Sequence, residues 1–310
     1  MNELILKGID GANPLGFLAA VGVLRTASMA WSTDYPTTME WRKHDGAWRP
    51  VLSFHFYVAE ADFVSKLNIT LKQMQNHPAF KFSDNLSLSP EVFRNEVLKA
   101  QKESHLNDRR FADFMAAYGC ESLCDKNSES IADTAMRTMS GAGHQHFLGT
   151  IRQIVSDTEV FHISKTLFSL WQYDDPVEKH TMRWDPADDV RYALQWQNPS
   201  GDRNRKVAGC VWGANRLAIE ALPLFVTAPK INSLETTAFT QNRAKGIFLT
   251  WPIWESPLSI ETLRSLLSLH ELQTSKPDRN KLKKIGVVEI FRCQRLTQGK
   301  FRNFSTAVPL

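Results

Sequence analysis

Cysteine is scarce and unhelpfully spaced. Only Cys120, Cys124, Cys210 and Cys293 occur. The close pair is C-x3-C with no second pair to complete a tetrahedral site, which argues against structural zinc. Unpaired thiols fit a reducing compartment, and the expectation is a cytoplasmic protein. Long apolar runs are missing too: none approaches the roughly 20 residues that span a bilayer. The N-terminus opens on a strand-like run, Glu3–Ile9, rather than the charged start of a signal peptide. There is no internal repeat, no low-complexity segment and no G-x-S-x-G elbow. The turn Asp10–Pro14 lacks the repeated glycines of a phosphate-binding loop.

Aromatic residues are plentiful, at 10% with nine Trp. Such a complement serves a large core, or flat surfaces for bases or a partner protein. The net charge of +4 is too small to imply a polyanion by itself. Its distribution is more pointed. Lys276, Arg279, Lys281, Lys283, Lys284, Arg292, Arg295, Lys300 and Arg302 stand against only Asp278 and Glu289 between residues 276 and 302. The remainder of the chain is therefore net acidic. A basic segment of this kind is either an electrostatic footprint for nucleic acid or a solvated tail.

Periodicity predicts an α+β protein of mixed helices and short antiparallel strands, in two lobes at 1–135 and 136–310. A strand over 3–9 leads through a turn to Asn13, a candidate N-cap, and Pro14 at the first helical position. The helix that follows runs to about Trp31. Gly16 and Gly22 within it suggest another backbone packed close by, which makes the unit a buried docking element. Asp45–Gly46 closes a hairpin over 41–56. Helices are predicted over 59–76, 90–106, 108–118, 145–155, 160–171, 215–222 and 257–269. An extended piece is predicted at 80–88, strands at 248–254 and 285–293, and an exposed polar loop at 120–135.

The stretch Arg137–Arg152 holds the densest set of polar candidates. Ser140-Gly141-Ala142-Gly143 precedes His144, Gln145 and His146, and a helical pattern follows at once. A flexible turn feeding a helix start can hold an anion, or it can be only a tight corner. Arg137 and Arg152 flank it. Arg183 beside Trp184 can pair a phosphate contact with a stacking face, while Arg203, Arg205 and Lys206 sit in a turn-forming loop. Contacts of this type track a backbone and carry no base identity. A metal-dependent nuclease is the rival, drawing on His144, His146, Asp185, Asp188 and Asp189. Nothing in their spacing requires them to meet. A second rival is a scaffold whose Trp-rich faces bind protein alone.

Three patches resemble a known group. Leu6–Arg25, with its Asn13-Pro14-Leu15-Gly16 step and late Gly22, is similar to the N-terminal strand–turn–helix of subunits from CRISPR–Cas type I-G (formerly I-U) systems. Thr138–Leu148 resembles a small–Gly–Gln–x–Phe element of the same group. Ala218–Phe225, Trp251–Trp254 and Pro257-Leu258 resemble its C-terminal pattern. None of these is a catalytic signature. Ala142 between two glycines, and histidine on both sides of Gln145, depart from the group's pattern. The chain is also short for a large subunit and shows no C-terminal four-helix bundle pattern.

The resemblance implies a non-enzymatic subunit of a Cascade-like, RNA-guided antiviral complex, similar to the large-subunit class. Its partners would be CRISPR RNA, target DNA, other effector-complex subunits and a separate helicase–nuclease, with no cofactor, metal or membrane. The residues expected to meet nucleic acid are Arg137, His144, Gln145, Arg152, Arg183, Arg203, Arg205, Lys206, Lys283, Lys284, Arg292, Arg295, Lys300 and Arg302. Help in recognising the target-adjacent motif is a further expectation from the class.

Overall fold

Asn13 and Pro14 start the helix on which the rest of the chain is assembled. The computed structural model describes residues 2–31, 35–106, 108–124, 129–139, 146–177, 180–188, 209–231, 233–242, 245–298 and 301–310. Strand β1 (Asn2–Ile5) leads into helix α1 (Pro14–Ala30). The Asn13 side-chain oxygen accepts from the amides of Leu15 (2.8 Å) and Gly16 (3.2 Å). These first-turn donors have no partner within the helix, and a cap of this kind is worth about 1 kcal/mol. β1 stops short of Ile9 because its continuation bonds elsewhere: the Gly8 amide donates to the Leu167 carbonyl at 2.9 Å.

Every residue of α1 from Pro14 to Ala27 is buried. A helix buried on all sides and apolar but for Arg25 and Thr26 over that span belongs inside a core rather than on its surface. Hairpin strands β2 (Thr38–His44) and β3 (Ala47–Phe54) turn on Asp45 and Gly46, both at positive φ. With β1 they form an antiparallel sheet in the order β1-β3-β2. Then come α2 (Glu60–Lys72), a 3-10 turn at Pro78–Phe80, α3 (Pro90–Ser104) and α4 (Arg110–Tyr118). Residues 81–88 form turns and bends rather than the predicted extended piece. There Phe80 and Leu86 are buried in the core without joining a ladder.

The polar stretch after Tyr118 is not simply a loop. β4 (Gly119–Cys124) pairs antiparallel with β5 (Ile131–Asp133). The Thr227 hydroxyl anchors the pair by bonding the carbonyls of Ala116 (3.0 Å) and Gly119 (3.1 Å). α5 (Phe147–Asp157) buries Phe147, Leu148, Ile151 and Ile154, the predicted inner face. α6 (Val160–Phe168) ends before the predicted Trp171, because the Trp171 indole turns back to the Thr166 carbonyl at 3.1 Å. That bond satisfies one of the orphan carbonyls of a helix C-terminus. A 3-10 turn at Pro186–Asp188 follows, then α7 (Trp212–Ile219). Pro223 sits inside a further 3-10 turn, Leu222–Leu224, instead of ending α7 directly.

The C-terminal part is mostly sheet. β6 (Thr227–Lys230) pairs with β7 (Ser233–Thr236). β8 (Phe239–Asn242) and β9 (Gly246–Trp254) precede α8 (Ile260–Leu267), α9 (His270–Gln273) and α10 (Arg279–Lys283). β10 (Val287–Gln298), β11 (Phe301–Phe304) and β12 (Val308–Pro309) complete an antiparallel sheet in the order β11-β10-β9-β8, with β12 also on β10. The protein is thus α+β.

Phe17 of α1 joins the two larger sheets. Its ring stacks on Trp41 of β2 at 6.2 Å and on Trp251 of β9 at 5.6 Å. On another side α7 crosses at Gly22, where an added Cβ would lie 1.8 Å from the Leu217 carbonyl oxygen. Among the described residues no helix is long and apolar enough to cross a membrane.

Candidate nucleic-acid interface

Residues 134–139 leave β5 and are pinned from several directions. The Ala135 amide donates to the Thr236 hydroxyl at 3.0 Å, and the Trp184 indole donates to the Met136 carbonyl at 2.9 Å. The Thr138 hydroxyl reaches the Met182 carbonyl at 2.6 Å. Arg137 lies within this frame, only 7% exposed. Its guanidinium donates to the Met139 carbonyl (2.7 Å) and the Ser87 hydroxyl (3.2 Å), and pairs with the Asp133 carboxylate.

Two more arginines reach the same place from the sheet. Alternation on β10 puts Arg295 on the face of buried Cys293, and the pairing of Arg295 with Phe304 and Thr297 with Arg302 puts Arg302 on that face as well. Arg295 donates one terminal nitrogen to the Ala135 carbonyl at 3.0 Å. Its Nε is buried without a hydrogen-bond partner among the described residues. Burial pushes the Arg295 guanidinium down to about 10, with repulsion from Arg302 and Arg137 adding to it and Asp133 opposing. Burial likewise pushes Asp133 up, against the pull of Arg137, Arg302 and Arg295. Among the described residues three guanidiniums thus stand against one carboxylate, with Arg137 bonded to it and Arg295 and Arg302 acting through space. The Arg183 carbonyl accepts from the Phe304 amide at 3.1 Å, which ties residues 181–184 to the same edge.

The other predicted residues are placed elsewhere. Arg152 is caged by the turn before α3: it donates to the carbonyls of Phe80 (2.7 Å) and Ser83 (2.9 Å) and pairs with Asp84. Arg292 is on the opposite face of β10 from Arg295. There it bonds the Thr250 hydroxyl (2.8 Å) and the Thr274 carbonyl (2.7 Å), holding the turn after α9. Burial pushes its guanidinium down. Lys283 and Lys284 are exposed, just before β10. From Val287 to Arg295 a strand rises about 26 Å at ~3.3 Å per residue. The basic C-terminal segment is therefore split between the two ends of β10 and is not one patch. His144, Gln145, Arg203, Arg205, Lys206 and Lys300 lie outside the described residues, as does Asp189.

Of the nuclease rival's residues, His144 and Asp189 lie outside the described ones, and Asp185 is held internally. Asp185 is 1% exposed and accepts from the Asn13 side-chain Nδ2 (3.2 Å), the Tyr173 hydroxyl (3.0 Å) and the Ala187 backbone amide (2.9 Å). Burial pushes its carboxyl up. It serves as a bracket between the α1 cap and the Pro186–Asp188 turn. Among the described residues no group of three or more His, Cys, Asp or Glu is placed to hold a metal.

Sequence reading missed Asp133, Ser87 and Ala135, the partners that assemble the cluster. The available signal was Asp133 four residues before Arg137. No protein-family model matches the chain, and no curated protein matches it.

Proposed function

We propose that the protein is a non-catalytic nucleic-acid-binding subunit of a CRISPR RNA-guided antiviral surveillance complex. In this reading it holds the sugar–phosphate backbone of guide RNA or target DNA beside its neighbouring subunits, in the cytoplasm. It then helps present the target-adjacent motif and leaves strand cleavage to a separate helicase–nuclease. The observation that carries the binding role is the arginine cluster. Arg137 pairs with Asp133, and Arg295 and Arg302 of the C-terminal sheet lie near enough to act on the same carboxylate through space. A surplus of guanidinium charge, with half-buried Arg302 as its accessible member, fits a phosphate oxygen better than a purely internal role. The resemblance at Leu6–Arg25 supplies the complex.

Salt dependence tests the proposal. Affinity for a single-stranded oligonucleotide should fall steeply between about 50 and 200 mM salt. Arg302→Gln should weaken binding to all sequences alike and reduce the salt slope by about 1. Affinity that stays flat over this range would overturn the reading and favour a scaffold that binds only protein.

A further inference from the structure

The other end of β10 carries a second site. A cavity of about 540 Å³ opens between the β2–β3 hairpin, α10 and the start of β10. That lies within the roughly 300–1,000 Å³ of small-ligand pockets. Its floor is apolar, from Leu282, Val287 and Ile290, all nearly fully buried. One wall is Trp48, half-buried, and the rim carries Lys43, Lys283 and Glu255.

The hairpin register explains why a lysine and an indole face this space. Met39 and Trp41 point into the core, and Lys43 is the next residue on the same face. Its partner across the hairpin is Trp48. The core stripe thus runs past its own edge and ends in the cavity, with the Lys43 ammonium 5.0 Å from the Trp48 ring centroid. A third cation, Arg279, is already engaged by the Glu289 carboxylate at 2.5 Å. Lys43, Lys283 and Glu255 have no ion-pair partner among the described residues. The pocket therefore offers an indole covered by the Lys43 ammonium, together with a Lys283 ammonium and a Glu255 carboxylate that lack ion-pair partners among the described residues.

We infer that this groove takes one unstacked nucleotide of a single strand, and that it selects a base bearing an exocyclic amine. The base would displace the Lys43 ammonium from the Trp48 face and lie there, as bases do on aromatic platforms. Lys43 and Lys283 would hold its phosphate. Three cations against two carboxylates leave one positive charge, which matches a singly charged phosphodiester better than the doubly charged end of a free monophosphate. Glu255 can only accept hydrogen bonds while ionised, so it favours the amino group of cytosine over the O4 of uracil or thymine. The inference rests on the nucleic-acid reading above and gives it a base preference that the arginine cluster lacks.

The test compares oligo-dC with oligo-dT by fluorescence anisotropy on the full chain, with CMP as competitor. Oligo-dC should bind about 5- to 100-fold tighter. Glu255→Gln, at an exposed position, should remove that difference. Lys283→Glu should weaken both oligonucleotides equally, and CMP should compete poorly. Equal binding of dC and dT, unaffected by Glu255→Gln and Lys283→Glu yet sensitive to Arg302→Gln, would overturn the groove and leave the arginine cluster standing. Competition by CMP as strong as by the oligonucleotide would overturn the strand assignment in favour of a free-nucleotide site. No binding of any oligonucleotide at low salt would sink both readings.

Discussion

Glu220 sits at a junction of the helical core. It is fully buried at the end of α7, and its two oxygens bond Arg216 (2.8 Å) and Arg25 of α1 (2.9 Å). Arg216 continues to the Leu71 carbonyl at the end of α2, at 2.8 Å, and Arg25 lies 5.5 Å from the Phe114 ring of α4. One carboxylate thus organises four helices. Its net contribution over an apolar substitute is small, because the desolvation of three charges offsets much of the attraction. Removing only the carboxylate is different, since it leaves two buried guanidiniums unpaired. Glu220→Ala should cost about 3–5 kcal/mol, read as a lowered urea midpoint. A change under 1 kcal/mol would mean that water reaches the site. This role was not legible from residue order: Glu220 falls in a predicted helix, with its partners 195 residues and one turn away.

Among the elements, those defined by neighbouring residues were legible. Asn13-Pro14, Ser89-Pro90 and Asp45-Gly46 each specify a local conformation, and each forms where expected. The elements missed depend on distant partners. β5 has only three residues, and β11 exists through its ladder to β10. The arginine cluster was missed as a unit for the same reason: its members were visible singly, but their convergence is set by sheet register. Local electrostatics is easier to forecast. The cap residue of α4, Arg109, offers no side-chain bond, so Asp108 takes the task, accepting from the Arg110 amide at 3.0 Å and its guanidinium at 2.7 Å. The Arg110 guanidinium holds the Asp108 carboxyl down from 3.8 to about 2. A depressed carboxyl stabilises the fold above its unfolded pKa, and that contribution fades as pH falls through the folded value. Asp108→Asn should therefore lower the urea midpoint at pH 6, with the gap from wild type narrowing as the pH drops from about 4 towards about 2. The gap will be modest, because Asp108 is partly exposed and solvent screens the pair. A gap that persists unchanged in acid would show that the cap acts through packing, not charge.

At the scale of the molecule, the question is whether the residues before and after 135 unfold together. The buried cluster runs continuously from Leu4 to Phe304. Its aromatic centre draws on both ranges: Trp251 stacks on Phe17, and Trp254 meets Trp41 edge-on at 5.8 Å. Both indoles of β9 are also tied across the division, Trp251 to the Gly11 carbonyl at 2.9 Å and Trp254 to the Met39 carbonyl at 2.7 Å. Aromatic burial of this size dominates a local energy balance, and each indole N–H left without its acceptor would add a penalty. Unfolding of either part would expose this shared surface on the other. Urea denaturation followed by tryptophan fluorescence and by far-UV circular dichroism should therefore give one coincident transition. Trp251→Ala should shift both probes together, by about 3–5 kcal/mol. Two separated transitions, with only the one reporting on β9 displaced, would show that the halves are energetically independent despite their common tryptophans.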